Sequence, residues 1–186
     1  MPGFIGSHFV STVPDHFALF GLAPRFAIDL AALEAAYKDV QARVHPDRFA
    51  AGTAAERRVA MQWATRANEA YRALRDDGQR AAYLCELHGV PLEAESNTAM
   101  PPAFLMQQMQ WREALDDARA AGHGADALRA EVHTVRSQTV AQIAAALDGA
   151  QDHGAAAALV RQLMFIDRFL AELDGAHAAA AQGAEH

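Results

Sequence analysis

The sequence is short of the features that mark nucleic-acid binders, secreted scaffolds, metalloproteins and membrane proteins. It has one lysine, Lys38, and its 16 basic residues are outnumbered by 23 acidic ones, giving a net charge of -7. A protein that grips a phosphate backbone needs a basic stripe, so nucleic acid is not the expected partner. Cys85 is the only cysteine, which excludes an intramolecular disulfide and any zinc site built from several thiolates. None of the nine histidines has another three or four residues away, the spacing that puts two imidazoles on one helical face, so no metal is expected. Residues 1–13 have neither a cationic start nor a long apolar run. Neither a signal peptide nor a membrane span is predicted, and the expected location is the cytoplasm. Proline is scarce, at seven residues, and β-branched residues are few. What fills the 52% hydrophobic content is largely alanine, which favours helix and predicts an all-α fold.

Helical patterning begins after a short apolar segment, DHFALFGL (15–22), which Gly21 is suited to end. Asp29 is the expected N-cap of a helix with apolar residues at Leu30, Leu33, Tyr37, Val40 and Val44. Its opposite face carries Lys38, Gln41 and, near the edge, Arg43. Pro46 disfavours helical geometry at His45, so this helix must stop there and give way to an exposed loop. Thr53 and Glu56 form a capping box that opens a second helix. Its small and apolar stripe, Ala60, Trp63, Ala64, Ala67, Ala70, Tyr71 and Leu74, lets the two helices pair closely and antiparallel. His45, Pro46 and Asp47 then occupy the tip of a helical hairpin. A carboxylate on a rigid exposed loop can pair with an arginine of a partner. The bland alternative is that Asp47 caps the loop and His45 is merely solvated.

The hairpin and its continuation RAAYLCELHG (80–89) make a first domain over 14–89, preceded by an extension (1–13). Residues 90–101, with Pro91, Ser96, Asn97, Thr98 and Pro101, read as a linker. Beyond it, helical patterns over 102–121, 125–148 and 152–175, separated by glycines, predict an antiparallel three-helix bundle in a domain spanning 102–180. Leu128, Val132, Val135, Ile143 and Leu147 form the core stripe of its middle helix. Leu159, Leu163, Ile166, Leu170 and Leu173 form that of its last. The first bundle helix has two stripes: Phe104, Gln108, Trp111 and Leu115 on one, and Leu105, Met106 and Met109 on an adjacent face that continues through Gln110 and Glu113 to Asp117. Surplus apolar surface bordered by carboxylates and rich in adaptable methionine suits a protein-binding patch. A wider buried face would give the same pattern.

With His-Pro-Asp at its tip and ANEAYRAL (67–74) in its second helix, the hairpin resembles the J-domain over residues 14–75. The order of parts over 14–175 resembles the HscB family of J-domain co-chaperones of iron-sulfur cluster assembly. That resemblance rests on DHFALFGL, HPDRFA (45–50), RAAYLCELHG, AFLMQQMQWREALDD (103–117) and LVRQLMFIDRFL (159–170). It implies that His45, Pro46 and Asp47, with Lys38, Arg43 and Arg48, engage an HscA-type, DnaK-like chaperone and stimulate its ATPase. It also implies that Leu105, Met106, Met109, Gln110, Glu113, Asp117 and Phe165 hold an IscU-type scaffold. Gln110 stands where the family favours an acid, and Cys85 where it favours leucine. One thiolate cannot hold a cluster, so Cys85 is expected to be structural. The family's eukaryotic members add an N-terminal segment with paired cysteines, absent from 1–13, so the bacterial type is expected. A J-domain protein with another polypeptide client is the alternative. An acid–base pair of His45 and Asp47 is disfavoured by the lack of further catalytic residues nearby, and no enzyme is expected.

Overall fold

The computed structural model describes residues 14–49, 52–92 and 100–183, and every described element is helical. The extension 1–13 and most of the expected linker lie outside the described residues. The chain divides into two compact units, residues 1–79 and 80–186.

In the first unit, α1 (His16–Leu19), α2 (Leu30–Val44) and α3 (Ala54–Arg75) surround Phe17, Phe20, Phe26, Leu33, Ala67, Ala70 and Leu74, all buried. The caps follow the sequence. Asp15 accepts from Ala18 N at 2.8 Å, and Asp29 from Ala31 N at 2.8 Å. The capping box is reciprocal: Glu56 N donates to Thr53 Oγ1 at 3.2 Å, and Thr53 N to Glu56 Oε2 at 2.7 Å. Alanines on α3 bring α2 close enough for Tyr37 to stack on Tyr71, with ring centroids 4.2 Å apart. Two expectations for α2 fail. Leu30, the first residue of α2, is half exposed, whereas Leu33 is fully buried. Gln41 does not face solvent opposite the hairpin: its amide donates to Asn68 Oδ1 at 2.5 Å and to Tyr37 Oη at 3.0 Å, which satisfies polar groups between the helices.

α4 (Asp77–Leu87) is capped by Asp76, whose carboxylate accepts from Gln79 N at 2.8 Å. Most of it belongs with the second unit, whereas a trailing helix of the first domain was expected. The reason is its buried face, Arg80, Ala81, Leu84 and Cys85. The Cys85 thiol contacts the His153 carbonyl oxygen at 3.7 Å, and the His88 and His153 rings stack at 3.9 Å, so α4 is tied to the start of α7.

The bundle consists of α5 (Pro102–Ala121), α6 (Ala125–Ala144, ending in a wider π-type turn over Ala145–Ala150) and α7 (His153–Gly183). Gly122, at φ +74°, closes α5 in the left-handed conformation that glycine adopts without strain. Ion pairs fix the directions. Arg129 with Asp174 at 3.0 Å and Arg136 with Asp167 at 2.6 Å set α6 antiparallel to α7, while Phe104 beside Phe165 and Arg119 beside Glu172 make α5 and α7 parallel. The core joins Phe104, Trp111, Leu115, Leu128, Val132, Ile166, Phe169, Leu170 and Leu173. The α6 stripe runs through Thr139, buried because its hydroxyl donates to the Val135 carbonyl at 2.9 Å. On α7 the first expected core residue, Leu159, is only half-buried. Val160 takes the inward position, in phase with Ala156 and Leu163. Among the described residues no helix is long and apolar enough to cross a membrane.

Candidate functional site

The hairpin tip is built by a forced helix stop. α2 ends at Val44, and His45 adopts φ -56°, ψ 131°, the extended geometry that a following proline demands. Pro46–Phe49 then form one tight turn, held by Arg48 N donating to the His45 carbonyl at 3.0 Å, and Gly52 N closes on the Phe49 carbonyl at 2.9 Å. His45 is exposed, and Arg48 reaches back to the Ala42 carbonyl at 3.3 Å. The side chains of Pro46 and Asp47 lie outside the described part of the structure.

Lys38 is 70% exposed and pairs with Glu34 one turn earlier at 2.7 Å. The hydrogen bond and then the charge of Glu34 raise the Lys38 pKa, and the same two effects lower that of Glu34. Arg43 is exposed in the last turn of α2. Lys38 and Arg43 are five residues apart, about 140° round the helix. They therefore flank the approach to the tip instead of sharing one stripe.

On α5 the two stripes part as sharply as a helix allows. Phe104, Trp111 and Leu115 are buried, and Gln108 is half-buried beside them. Leu105, Met106 and Met109 remain 45%, 63% and 63% exposed, so the wider buried face is not realised. The α5 contacts with α6 and α7 use the other side: Trp111 Nε1 donates to Glu131 at 2.8 Å, and its ring stacks on Phe169 at 5.6 Å. Leu105, Met109, Glu113 and Asp117 follow one another at four-residue spacing, which makes a strip that is apolar towards the N-terminus and acidic towards the C-terminus. Gln110, Glu113 and Asp117 are all exposed. Phe165, partly buried, sets its ring edge-on to Phe104 at 5.8 Å and so borders the N-terminal end of the strip.

Cys85 is fully buried, and burial raises its thiol pKa against a smaller opposing effect of Arg161. No group of side chains that could hold a metal occurs among the described residues. Sequence reading passed over the outward side of α3, where Arg57, Arg58, Met61 and Arg66 line a groove. Its signal was present as arginine and methionine recurring at helical spacing between the core positions.

The family profile described as the HSCB C-terminal oligomerisation domain matches residues 100–174. A Co-chaperone protein HscB homolog of Bordetella avium is 58% identical over 159 residues, covering 86% of this chain and 95% of that one. The homolog of Burkholderia mallei is 56% identical over 166 residues, covering 88% and 94%. Among solved structures, the chaperone HscB from Vibrio cholerae superposes with a TM-score of 0.78 at 31% identity, over 89% of this chain and 99% of that one. The human co-chaperone HscB, at 22% identity and a TM-score of 0.81 over 88% and 82%, shares the fold.

Proposed function

This chain belongs to the HscB co-chaperone family, and from that premise we propose that it is the J-domain co-chaperone of iron-sulfur cluster assembly, recruiting an IscU-type scaffold to an HscA-type, DnaK-like chaperone. The observation that carries the reading is the exposure of Leu105, Met106 and Met109 together within five residues of one helix whose other face is fully packed. Apolar side chains kept in water at one place, beside acids, favour a partner that covers them. The scaffold binds there, with Gln110, Glu113, Asp117 and Phe165 at the border.

The hairpin tip serves the chaperone. His45, Pro46 and Asp47 present a short rigid turn, and Lys38, Arg43 and Arg48 supply positive charge around it. Asp47 pairs with an arginine of the chaperone, and the contact biases that partner towards ATP hydrolysis. The protein performs no chemistry itself, carries no cofactor and acts in the cytoplasm.

Asp47→Ala in the full chain tests the tip. Phosphate release by the DnaK-like chaperone should lose its stimulation while binding of the folded scaffold stays intact. Undiminished stimulation would overturn the assignment. Binding to unfolded peptides but not to the scaffold would favour a different client.

A further inference from the structure

α2 is anchored firmly at one end and lightly at the other. Leu33, in its first turn, is its only fully buried residue, and the half that carries the hairpin tip makes its apolar contacts through the half-buried Val40 and Val44. The buried side of α3 is mostly alanine, at Ala60, Ala67 and Ala70. Apolar contact is non-directional, so it holds α2 down without fixing its angle. Direction comes from a polar cluster between the helices. Tyr37 Oη donates to Asn68 Oδ1 at 2.8 Å, and the Gln41 amide donates to the same oxygen at 2.5 Å and to Tyr37 Oη at 3.0 Å. The Tyr37 ring is clamped in turn, stacked on Tyr71 at 4.2 Å and met edge-on by Phe20 at 6.4 Å. Hydrogen bonds have preferred lengths and angles, so this closed triangle sets how α2 lies on α3.

We infer that Gln41 is a positioning residue for the chaperone contact: by tying the tip-ward half of α2 to Tyr37 and Asn68, it holds the Pro46–Phe49 turn at the angle at which the chaperone meets it. The inference rests on the co-chaperone reading of the tip and adds residues that touch no partner. The lever arm gives the reason. His45 lies about 18 Å along the helix from Leu33, at 1.5 Å per residue, so a tilt of about 10° about that anchor carries the tip sideways by about 3 Å. A recognition contact tolerates about 0.5 Å. Gln41 stands one turn before His45, where a bond to α3 restrains that tilt far better than Leu33 can. Its amide has two N–H groups, which is what lets one side chain reach both Asn68 and Tyr37.

The test follows phosphate release by an HscA-type chaperone as a function of the concentration of the full-length protein, with Asp47→Ala alongside and thermal unfolding showing each variant folded at the assay temperature. Gln41→Met keeps the length of the side chain and removes its donors. With the arm untied for about four-fifths of the time, the half-stimulating concentration should rise about fivefold, while stimulation at saturation stays within a factor of about 1.5 because the partner selects the aligned arm. Asn68→Ala removes the shared acceptor and should raise that concentration at least as much. Combining the two should add less than about twofold to Asn68→Ala alone, since both break the same contact. Binding of the folded scaffold should not change. A half-stimulating concentration within about twofold of the wild type for both single variants overturns the inference and leaves the co-chaperone reading in place. So does a loss confined to maximal stimulation, or losses that multiply in the double variant. Undiminished stimulation by Asp47→Ala overturns the reading of the tip and this inference with it.

Discussion

Replacing Leu105 and Met106 together by alanine separates recognition from folding on a single helix. Fully burying a leucine or methionine is worth about 2 kcal/mol. Leu105 is 45% exposed and Met106 63% exposed, so a covering partner gains about 1 kcal/mol from each. The double variant should therefore lose about 2 kcal/mol of scaffold affinity, a Kd about 30-fold weaker by isothermal titration calorimetry. The unbound protein should change by no more than about 0.5 kcal/mol per site, since the deleted atoms already stand largely in water. Leu115→Ala, further along the same helix but only 2% exposed, should behave in the opposite way. It leaves a cavity against Trp111 and the α6 and α7 core, and should cost roughly 2–5 kcal/mol in urea unfolding. A Kd that moves less than about threefold, or a double variant as unstable as Leu115→Ala, would refute the reasoning.

The capping box makes α3 sensitive to acid. Glu56 is held below its ordinary value of 4.5, first by the Thr53 N–H and then by the Thr53 hydroxyl. A carboxyl depressed in the folded state contributes stability above its unfolded pKa and loses that contribution as pH falls through the folded value. The stability difference between the wild type and Glu56→Gln, measured by urea unfolding, should therefore be present at pH 7, begin to shrink near 4.5 and close as the pH falls through the lower folded value. A gap independent of pH would contradict this. Thr53→Ala should cost about 1 kcal/mol at neutral pH by the same measurement. Cys85, buried and with its thiol pKa raised, should react with Ellman's reagent at least about 100-fold more slowly in the folded protein than in urea. Comparable rates would mean that α4 detaches freely.

Much of the fold was legible because local rules acted without competition. Asp29, Thr53 with Glu56, Pro46, and the glycines of the 122–124 connection each govern one backbone junction, and the helices begin and end where those residues demand. The misreadings arose where a side chain had more than one option. Gln41 is polar and was placed in water, yet Asn68, 27 residues away, gives its amide a partner between the helices. Leu159 and Val160 fit the α7 pattern almost equally, and packing selected Val160. The grouping of α4 depended on Cys85 meeting His153, a contact across 68 residues that no local pattern encodes.

By itself the sequence determined the helical class, the helix ends, the turn at His-Pro-Asp and the two candidate stripes of α5, because caps, proline and periodicity are properties of neighbouring residues. Only the tertiary structure decided which stripe is covered. Phe104, Trp111 and Leu115 and the triplet Leu105, Met106 and Met109 are equally apolar on paper, but α6 and α7 can occupy only one side of α5. Trp111, with its indole nitrogen satisfied by Glu131 and its ring laid on Phe169, gains more from burial than the methionines do. The other face is left in water, where a partner can reach it.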